Sequence, residues 1–163
     1  MKMPIPDIEI ISRRSKIIIA LSSFVPNENV ISNEDELRVY ECDGLSAYRQ
    51  IPMAVVLPET TEQVSAILKY CFHEGIKVVP RGAGTSLSGG ALPLADAIVL
   101  GLGKFNRILD VDYENRAVVA QSGVTNLAIS DIVADKGFYY APDPSSQIAC
   151  SIGGNVAENS GGV

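Results

Sequence analysis

The chain has 163 residues, of which 47% are hydrophobic, and a formal net charge of −6. This length and composition fit one ordinary domain with a buried core. The acidic balance argues against a general nucleic-acid binder, which needs a basic surface to displace counterions from phosphates. Cys42, Cys71 and Cys150 are far apart and form no CxxC pair, so they predict reduced thiols in a cytoplasmic protein, not a disulfide framework or a metal site.

The N-terminal region predicts a helix over residues 7–23. The isoleucines that suggest this helix, with charges between them, are Ile8, Ile11, Ile18 and Ile19. Arg13 and Arg14 precede a short apolar run, which superficially resembles a twin-arginine export signal. Because Lys16 stands where such signals have an apolar residue, and no small-residue cleavage site follows, an amphipathic helix is the better interpretation.

Residues 27–50 are polar and irregular in pattern. Within them, residues 40–49 are rich in aromatic and small side chains, which favours an ordered connection over a flexible linker. Composition alone gives this connection no function.

An apolar strand at residues 53–57, a helix and a second strand at residues 76–79 predict a βαβ unit. Thr60 and Gln63 fit a capping box at the start of the helix, and Gly75 fits a left-handed stop at its end. The buried face of this helix is predicted to carry Val64, Ile67, Leu68 and Cys71. A βαβ crossover makes its strands parallel and places the next loop at the carboxyl edge of the sheet, where open α/β sheets usually bind ligands.

That next loop, residues 80–91, is dense in glycine. Glycine allows positive φ and lets a ligand approach main-chain N–H groups, so the loop can form an anion-binding concavity. The loop predicts a phosphate cradle built mainly from backbone donors, and the alternative is a long surface turn. His73 is the only histidine, so a metal site with several histidines cannot be assembled, and its place beside the predicted helix stop favours a solvated residue over a catalyst.

The second half of the chain changes to local antiparallel pairing. After a strand at residues 97–102, two strands at 106–111 and 116–121 flank a polar turn and predict a hairpin. This change of period predicts a second subdomain that begins near residue 105. Thr125 then begins a helix that ends at Gly137, with apolar residues Leu127, Ile129, Ile132 and Val133.

A second glycine-rich stretch covers residues 142–162 and is also rich in hydroxyl side chains. Two such loops can close on a long dinucleotide from opposite sides. Competing motifs fail: Leu87 stands where the Rossmann fingerprint has its third glycine, and the sequence after Gly103 lacks the Walker hydroxyl and spacing. No G-x-S-x-G elbow occurs.

The two loops together carry a resemblance to a known family. The motifs are Arg81-Gly82-Ala83-Gly84-Thr85-Ser86, Pro142-Asp143-Pro144-Ser145-Ser146 and Ser151-Ile152-Gly153-Gly154-Asn155-Val156-Ala157-Glu158-Asn159. They resemble the FAD-binding domain of the vanillyl-alcohol-oxidase/p-cresol-methylhydroxylase (PCMH) flavoproteins. With residues 40–49 added, the chain is most similar to FAD-binding subunits of bacterial glycolate oxidases and to D-lactate dehydrogenases. The resemblance implies an α+β fold, with an α/β-type βαβ subdomain followed by the beginning of an antiparallel subdomain.

The resemblance also implies which residues contact FAD. In the first loop they are Pro80, Arg81, Gly82, Ala83, Gly84, Thr85, Ser86 and Gly90, where backbone groups hold the pyrophosphate and Arg81 anchors the loop. In the second stretch they are Pro142, Asp143, Ser146, Ser151, Gly153, Gly154, Asn155, Ala157 and Asn159. Relatives that attach FAD covalently through the first loop have histidine at the position of Thr85, so non-covalent binding is expected.

The implied reaction is the oxidation of a small 2-hydroxy acid by hydride transfer to the flavin, with electrons passing to FAD-binding and iron–sulfur partner subunits. Such partners imply a cytoplasmic protein that associates with the membrane through them. The resemblance assigns residues 1–50 to an N-terminal helix and connection, 51–104 to the first subdomain and 105–163 to an incomplete second one. Because the substrate-gripping residues of the family lie in later portions of a much longer chain, no catalytic residue is assigned.

Two alternatives remain open at the level of the sequence. The chain can be a catalytically inert binding or oligomerisation module that does not retain FAD, and missing strands are expected to leave a sheet edge prone to self-association. A nucleotide-sugar reductase of the same fold is a second alternative, which the 40–49 sequence disfavours.

Overall fold

The computed structural model describes residues 3–162. The helices are α1 (Ile8–Ser12), α2 (Arg14–Leu21), α3 (Glu34–Leu37), α4 (Thr61–Glu74), α5 (Asn126–Val133) and α6 (Ile152–Ala157). The strands are β1 (Val30–Ile31), β2 (Ala54–Val56), β3 (Lys77–Arg81), β4 (Ala97–Gly101), β5 (Ile108–Asp112) and β6 (Ala117–Ala120). Short 3₁₀ turns cover Asn27–Asn29, Arg38–Tyr40 and Ala134–Lys136.

A four-stranded sheet with the order β1-β2-β4-β3 forms the first half of the molecule. Strands β2, β4 and β3 are parallel, and β1 pairs antiparallel with β2. The predicted βαβ unit is therefore present, but β4 lies between its two strands. All residues of β2 and β4 are buried, which explains why β4 occupies the centre of the sheet.

The two faces of this sheet carry separate apolar clusters. On one face, Ile98 packs with Ile17 and Leu21 of α2 and with Ile67 and Cys71 of α4. The other face buries Val55 and Val99 against Leu37 of α3. Burial raises the pKa of the Cys71 thiol to about 11.

Helix α4 begins and ends where the sequence predicts. The Thr60 hydroxyl accepts from the N–H of Gln63 at 3.2 Å, and Gly75 is left-handed with φ 69°. The capping box is shifted by one residue, because the Gln63 side chain accepts from the N–H of Glu59 rather than of Thr60. Within the predicted apolar face, Leu68 is exposed.

The prediction of one N-terminal helix is wrong, because the helix is interrupted at Arg13. The Arg13 guanidinium donates to the Glu74 carboxylate at 2.6 Å, and Arg14 donates to the carbonyls of Met53 and Ser32. These contacts orient α2 with Ile17 inward and leave Ile8 and Ile19 exposed.

The second half contains the predicted hairpin of β5 and β6, which form a separate two-stranded antiparallel sheet. The Thr125 hydroxyl caps α5 by accepting from the N–H of Ala128, and Gly137 is left-handed with φ 76°. Helix α6 was not predicted. The subdomain boundaries at residues 50 and 104 stay a prediction.

None of the helices in residues 3–162 is long and apolar enough to span a bilayer.

Candidate functional site

The two glycine-rich stretches face each other across a cleft of about 830 Å³. We call residues 82–91, which follow the end of β3 at Arg81, the first wall, and residues 145–160 the second wall. The predicted site residues that line the cleft are Pro80, Arg81, Gly82, Ala83, Gly84, Thr85, Ser86, Gly90, Ser146, Ser151, Gly153, Gly154, Asn155 and Ala157.

The first wall begins directly after β3, at the carboxyl edge of the parallel sheet. Within the described chain, the N–H groups of residues 82–87 donate to no protein acceptor. Gly84 has φ 72°, which turns the loop, and the Ser86 hydroxyl accepts from the N–H groups of Ser88 and Gly90. The wall therefore offers a row of backbone donors of the kind that binds phosphate.

The guanidinium of Arg81 is directed into the protein framework. Its Nη1 atom donates to the carbonyl of Cys42 at 2.7 Å and lies 3.4 Å from the carbonyl of Ala91. The guanidinium also lies 5.6 Å from the centre of the Tyr40 ring. These contacts tie the base of the loop to a segment that lies between β1 and β2 in the chain.

The second wall is held on the turn that precedes α5. The N–H groups of Ile152 and Gly153 donate to the carbonyls of Val124 and Ser122, both at 2.8 Å. A Cβ at Gly153 would lie 2.7 Å from Cβ of Ser122, so only glycine fits there without movement. These hydrogen bonds hold the first two residues of α6 and place its first turn at the cleft.

The two walls touch at their bases. A Cβ at Gly82 would overlap the hydroxyl of Ser151, which is itself 5% exposed. At the far end, the carboxylate of Glu158 lies against Gly90. The two walls are therefore close together at both ends of the cleft.

Asn155 carries an unpaired polar atom at the cleft. Its residue is 7% exposed and lines the cleft, and its Nδ2 atom has no hydrogen-bond partner among residues 3–162. A buried amide without a partner costs free energy, so a ligand oxygen in the cleft would satisfy it.

Three predicted residues do not line the cleft: Pro142, Asp143 and Asn159. The carbonyl of Pro142 accepts from Asn126 Nδ2 at 3.0 Å, and the N–H of Asp143 donates to the carbonyl of Gly161 at 3.1 Å. Pro142 and Asp143 therefore connect the chain before the second wall with α5 and with Gly161.

Sequence reasoning missed several lining residues, namely Gly44, Leu87, Ser88, Ala91, Leu102, Ser122, Ser145, Cys150, Glu158 and Ser160. Most of these belong to the two stretches already singled out, so a wider selection within each stretch would have included them. Gly44, Leu102 and Ser122 lie elsewhere in the chain and reach the cleft through tertiary packing alone.

The charges of the cleft are few. Arg81 and Glu158 are the charged residues among those lining it in the described chain, and Arg81 is already bonded to protein carbonyls. A phosphate-bearing ligand would therefore depend on the free backbone N–H groups. This agrees with the acidic net charge of −6.

The cleft lies at the carboxyl edge of the parallel sheet and is lined by backbone donors of the kind that bind the phosphates of nucleotide cofactors. The sequence profile described as "FAD binding domain" matches residues 52–163, and the chain belongs to this family. FAD is thus the cofactor of this domain. The unbonded N–H groups of residues 82–87 and the unpaired Asn155 amide fit a diphosphate-bearing, oxygen-rich group of this kind.

Two similar proteins carry the names of a glycolate oxidase subunit and of a hydroxyglutarate dehydrogenase. The chain is 54% identical over 159 residues to the glycolate oxidase subunit GlcD of Escherichia coli (strain K12), covering 98% of this chain and 31% of that subunit. It is 31% identical over 149 residues to the mitochondrial D-2-hydroxyglutarate dehydrogenase of Arabidopsis thaliana, covering 91% of this chain and 27% of that enzyme. The chain thus spans less than a third of the length of both relatives.

A solved structure of p-cresol methylhydroxylase with substrate bound has the same fold. The TM-score is 0.69 at 24% identity, covering 80% of this chain and 27% of that one. This likeness confirms the predicted α+β fold of the PCMH type.

Proposed function

We propose that this chain is the FAD-binding part of a flavin-dependent 2-hydroxy-acid dehydrogenase of the glycolate oxidase or D-lactate dehydrogenase type. The observation that carries the proposal is the cleft itself, where a row of free N–H groups faces the unpaired amide of Asn155. The 54% identity to a glycolate oxidase subunit supports the substrate class.

The first wall holds the diphosphate of FAD. Several hydrogen bonds from residues 82–86 to a charged phosphate, each worth about 1.5–3 kcal/mol, offset the loss of phosphate hydration without a basic pocket. Ser146, Ser151 and Asn155 supply hydroxyl and amide groups from the second wall. Thr85 lacks a nucleophilic ring nitrogen, so the attachment is non-covalent.

FAD supplies the hydride-accepting chemistry, and the residues of this chain bind and orient it. In the whole enzyme the substrate is a small 2-hydroxy acid, and electrons pass to FAD-binding and iron–sulfur partner subunits, through which the protein associates with the membrane. No catalytic residue is assigned to the described chain, and the chain alone is inactive.

The experiment is a titration of the purified chain with FAD, followed by gel filtration and visible absorbance. We expect one flavin to elute with each chain and to be released, unmodified, on acid denaturation. Replacing Asn155 by Leu, which removes the amide at similar volume, is expected to weaken binding about tenfold.

A colourless chain that elutes as a dimer and does not respond to FAD would contradict the proposal and favour an inert oligomerisation module. Flavin that stays attached after denaturation would contradict non-covalent binding. For the substrate class, anaerobic glycolate, D-lactate or D-2-hydroxyglutarate should bleach the flavin of the longer enzyme that contains this chain, and should leave the flavin of this chain oxidised.

A further inference from the structure

The segment formed by residues 40–45 lies against the first wall, although it precedes the family match at residues 52–163. We call it the 40–45 segment. It contains the end of a 3₁₀ turn and a bend, and it belongs to neither the sheet nor the hairpin. Nothing in the proposed binding of FAD by residues 82–86 accounts for its contacts.

Arg81 connects the 40–45 segment with both ends of the loop. Its guanidinium donates to the carbonyl of Cys42 at 2.7 Å and lies over the Tyr40 ring. It also approaches the carbonyl of Ala91, beyond the loop, and fills the space that a Cβ at Gly84 would need. One side chain therefore fixes the start, the turn and the end of the loop against the 40–45 segment.

Gly44 makes the second contact, directly with the loop backbone. A Cβ on Gly44 would lie 2.8 Å from the carbonyl oxygens of both Thr85 and Ser86. Asp43, 5% exposed, holds this approach, because its Oδ1 atom accepts from the N–H of Leu45 at 2.9 Å and closes the turn around Gly44. The carbonyls of Thr85 and Ser86 thus lie against the 40–45 segment. The N–H groups of residues 82–87 donate to no protein acceptor in the described chain.

We propose that the 40–45 segment is a positioning element of the FAD site, which holds residues 82–87 in the conformation that presents their N–H groups to the diphosphate. Arg81 and Gly44 are the positioning residues. This inference rests on the proposed binding of FAD in the cleft and adds a part of the chain to that site.

The test compares variants that leave every N–H group of the loop in place. Gly44→Ala inserts a methyl group against the two carbonyls and removes no charge or donor. Its affinity for FAD and for ADP, both of which carry a diphosphate, should fall about tenfold or more, the effect of losing one hydrogen bond to a charged group. Its affinity for riboflavin, which has no phosphate, should not change. Gly103→Ala is the matched control, since nothing lies within 4 Å of a Cβ at that position.

A second pair of variants, at Tyr40, tests the same inference if Gly44→Ala does not fold. Tyr40→Leu removes the ring face beneath the guanidinium and should weaken FAD and ADP binding, whereas Tyr40→Phe keeps the ring and should bind both like the unaltered chain. Circular dichroism and thermal unfolding without ligand show which variants are folded.

Unchanged FAD affinity in both Gly44→Ala and Tyr40→Leu would overturn the inference. The inference would also be overturned if Gly44→Ala weakened the binding of FAD and of riboflavin equally, or if Gly44→Ala and Gly103→Ala weakened FAD binding equally. Either result would show a general loss of structure. If the unaltered chain binds no FAD, the proposed function itself fails and the inference fails with it.

Discussion

The two walls of the cleft are held in place by different interactions. The first wall follows β3, whose neighbour β4 has every residue buried in the four-stranded sheet. The second wall is carried by a half of the molecule with a two-stranded sheet, where Leu109 and Val119 are 57% and 51% exposed. Its attachment consists of backbone hydrogen bonds, such as those from the N–H groups of Asn126 and Ile152 to the carbonyls of Cys150 and Val124.

The two walls are therefore expected to differ in rigidity. Apolar packing around the buried central strands β2 and β4 resists local opening, whereas a two-stranded sheet with exposed faces contributes little independent stability. We therefore expect the first wall to be formed before the cofactor binds and the second wall to gain more protection from amide exchange when FAD binds. The following predictions test this contrast.

The largest effect is expected from removing packing in the first sheet. Val99→Ala deletes two buried methyl groups from a side chain that is 0% exposed. It should lower the free energy of unfolding by about 2–3 kcal/mol through lost burial and the cavity left behind. Val119→Ala makes the same chemical change in β6, where the side chain is 51% exposed, and should cost less than about 0.5 kcal/mol.

Urea unfolding of both variants measures these losses. Equal losses for the two valines would mean that packing does not distinguish the two halves.

The next effect concerns the attachment of α6 in the second wall. Gly153→Ala places a Cβ 2.7 Å from Cβ and 2.9 Å from the carbonyl oxygen of Ser122, and should destabilise the protein by about 1–3 kcal/mol. Gly154→Ala is the matched change in the same helix, where a Cβ meets only the Ser151 hydroxyl at 3.3 Å. It should be neutral or stabilise by up to about 1 kcal/mol, because alanine favours the helix.

Thermal unfolding monitored by circular dichroism compares this pair. A Gly153→Ala protein as stable as its Gly154→Ala counterpart would show that the Ser122 turn does not support α6.

The sequence predicted those elements whose signals are local. Thr60 and Gly75 bound α4 because a hydroxyl cap and a left-handed glycine act within one turn of the helix. The place of β4 between β2 and β3 was not predictable, because strand order depends on pairing between distant residues. Strand β1 is only two residues long, and its pairing of Val30 with Val56 leaves no periodic signal.

The candidate site was predicted where glycine density and the family resemblance coincide. Helix α6 was missed because Gly153, Gly154 and Asn155 all disfavour helix, and it forms on hydrogen bonds from a distant turn. Ser122 and Gly44 were missed for a related reason, since their roles come from what a Cβ would meet in the folded chain. The exposure of Ile8 and Ile19 could not be predicted, because contacts of Arg13 and Arg14 with distant residues decide which face of the first helices is buried.

A smaller effect on the free energy of unfolding is expected from the carboxylates of Asp96, beside the four-stranded sheet, and Asp112, in the hairpin. The Asp96 carboxylate, 2% exposed, accepts from Lys77 Nζ at 2.7 Å and from the N–H of Asp7 at 2.8 Å. Burial raises the pKa of Asp96. The hydrogen bonds and the charge of Lys77 lower the pKa by more than burial raises it, so the net pKa lies below its ordinary value. Because the folded pKa is below the unfolded one, this stabilisation is present above pH of about 4 and is lost as the pH falls through the folded pKa.

Asp96→Asn should therefore reduce the free energy of unfolding by about 1–2 kcal/mol at pH 7, and the difference from the unaltered chain should shrink below pH of about 4. Asp112→Asn is the comparison in the hairpin, where hydrogen bonds from Asn115 lower the pKa of an accessible carboxyl. Urea unfolding between pH 2 and 7 should show a weaker pH dependence of the difference for Asp112→Asn. A constant difference for Asp96→Asn across this range would contradict the assignment.

The smallest effect on stability is expected from two helix-cap variants, which should lose similar stability but differ in their affinity for FAD. Thr60→Ala and Thr125→Ala each remove one helix cap, from α4 and α5 respectively, and each should cost about 1 kcal/mol of unfolding free energy. Only α5 begins with N–H groups that donate to the second wall, to the carbonyls of Cys150 and Gln147. FAD affinity should therefore fall for Thr125→Ala and stay unchanged for Thr60→Ala, with Thr→Ser at each position restoring the cap. Equal FAD affinity in the two alanine variants would mean that the second wall holds its shape without the α5 cap, and the contrast between the walls would then rest on packing alone.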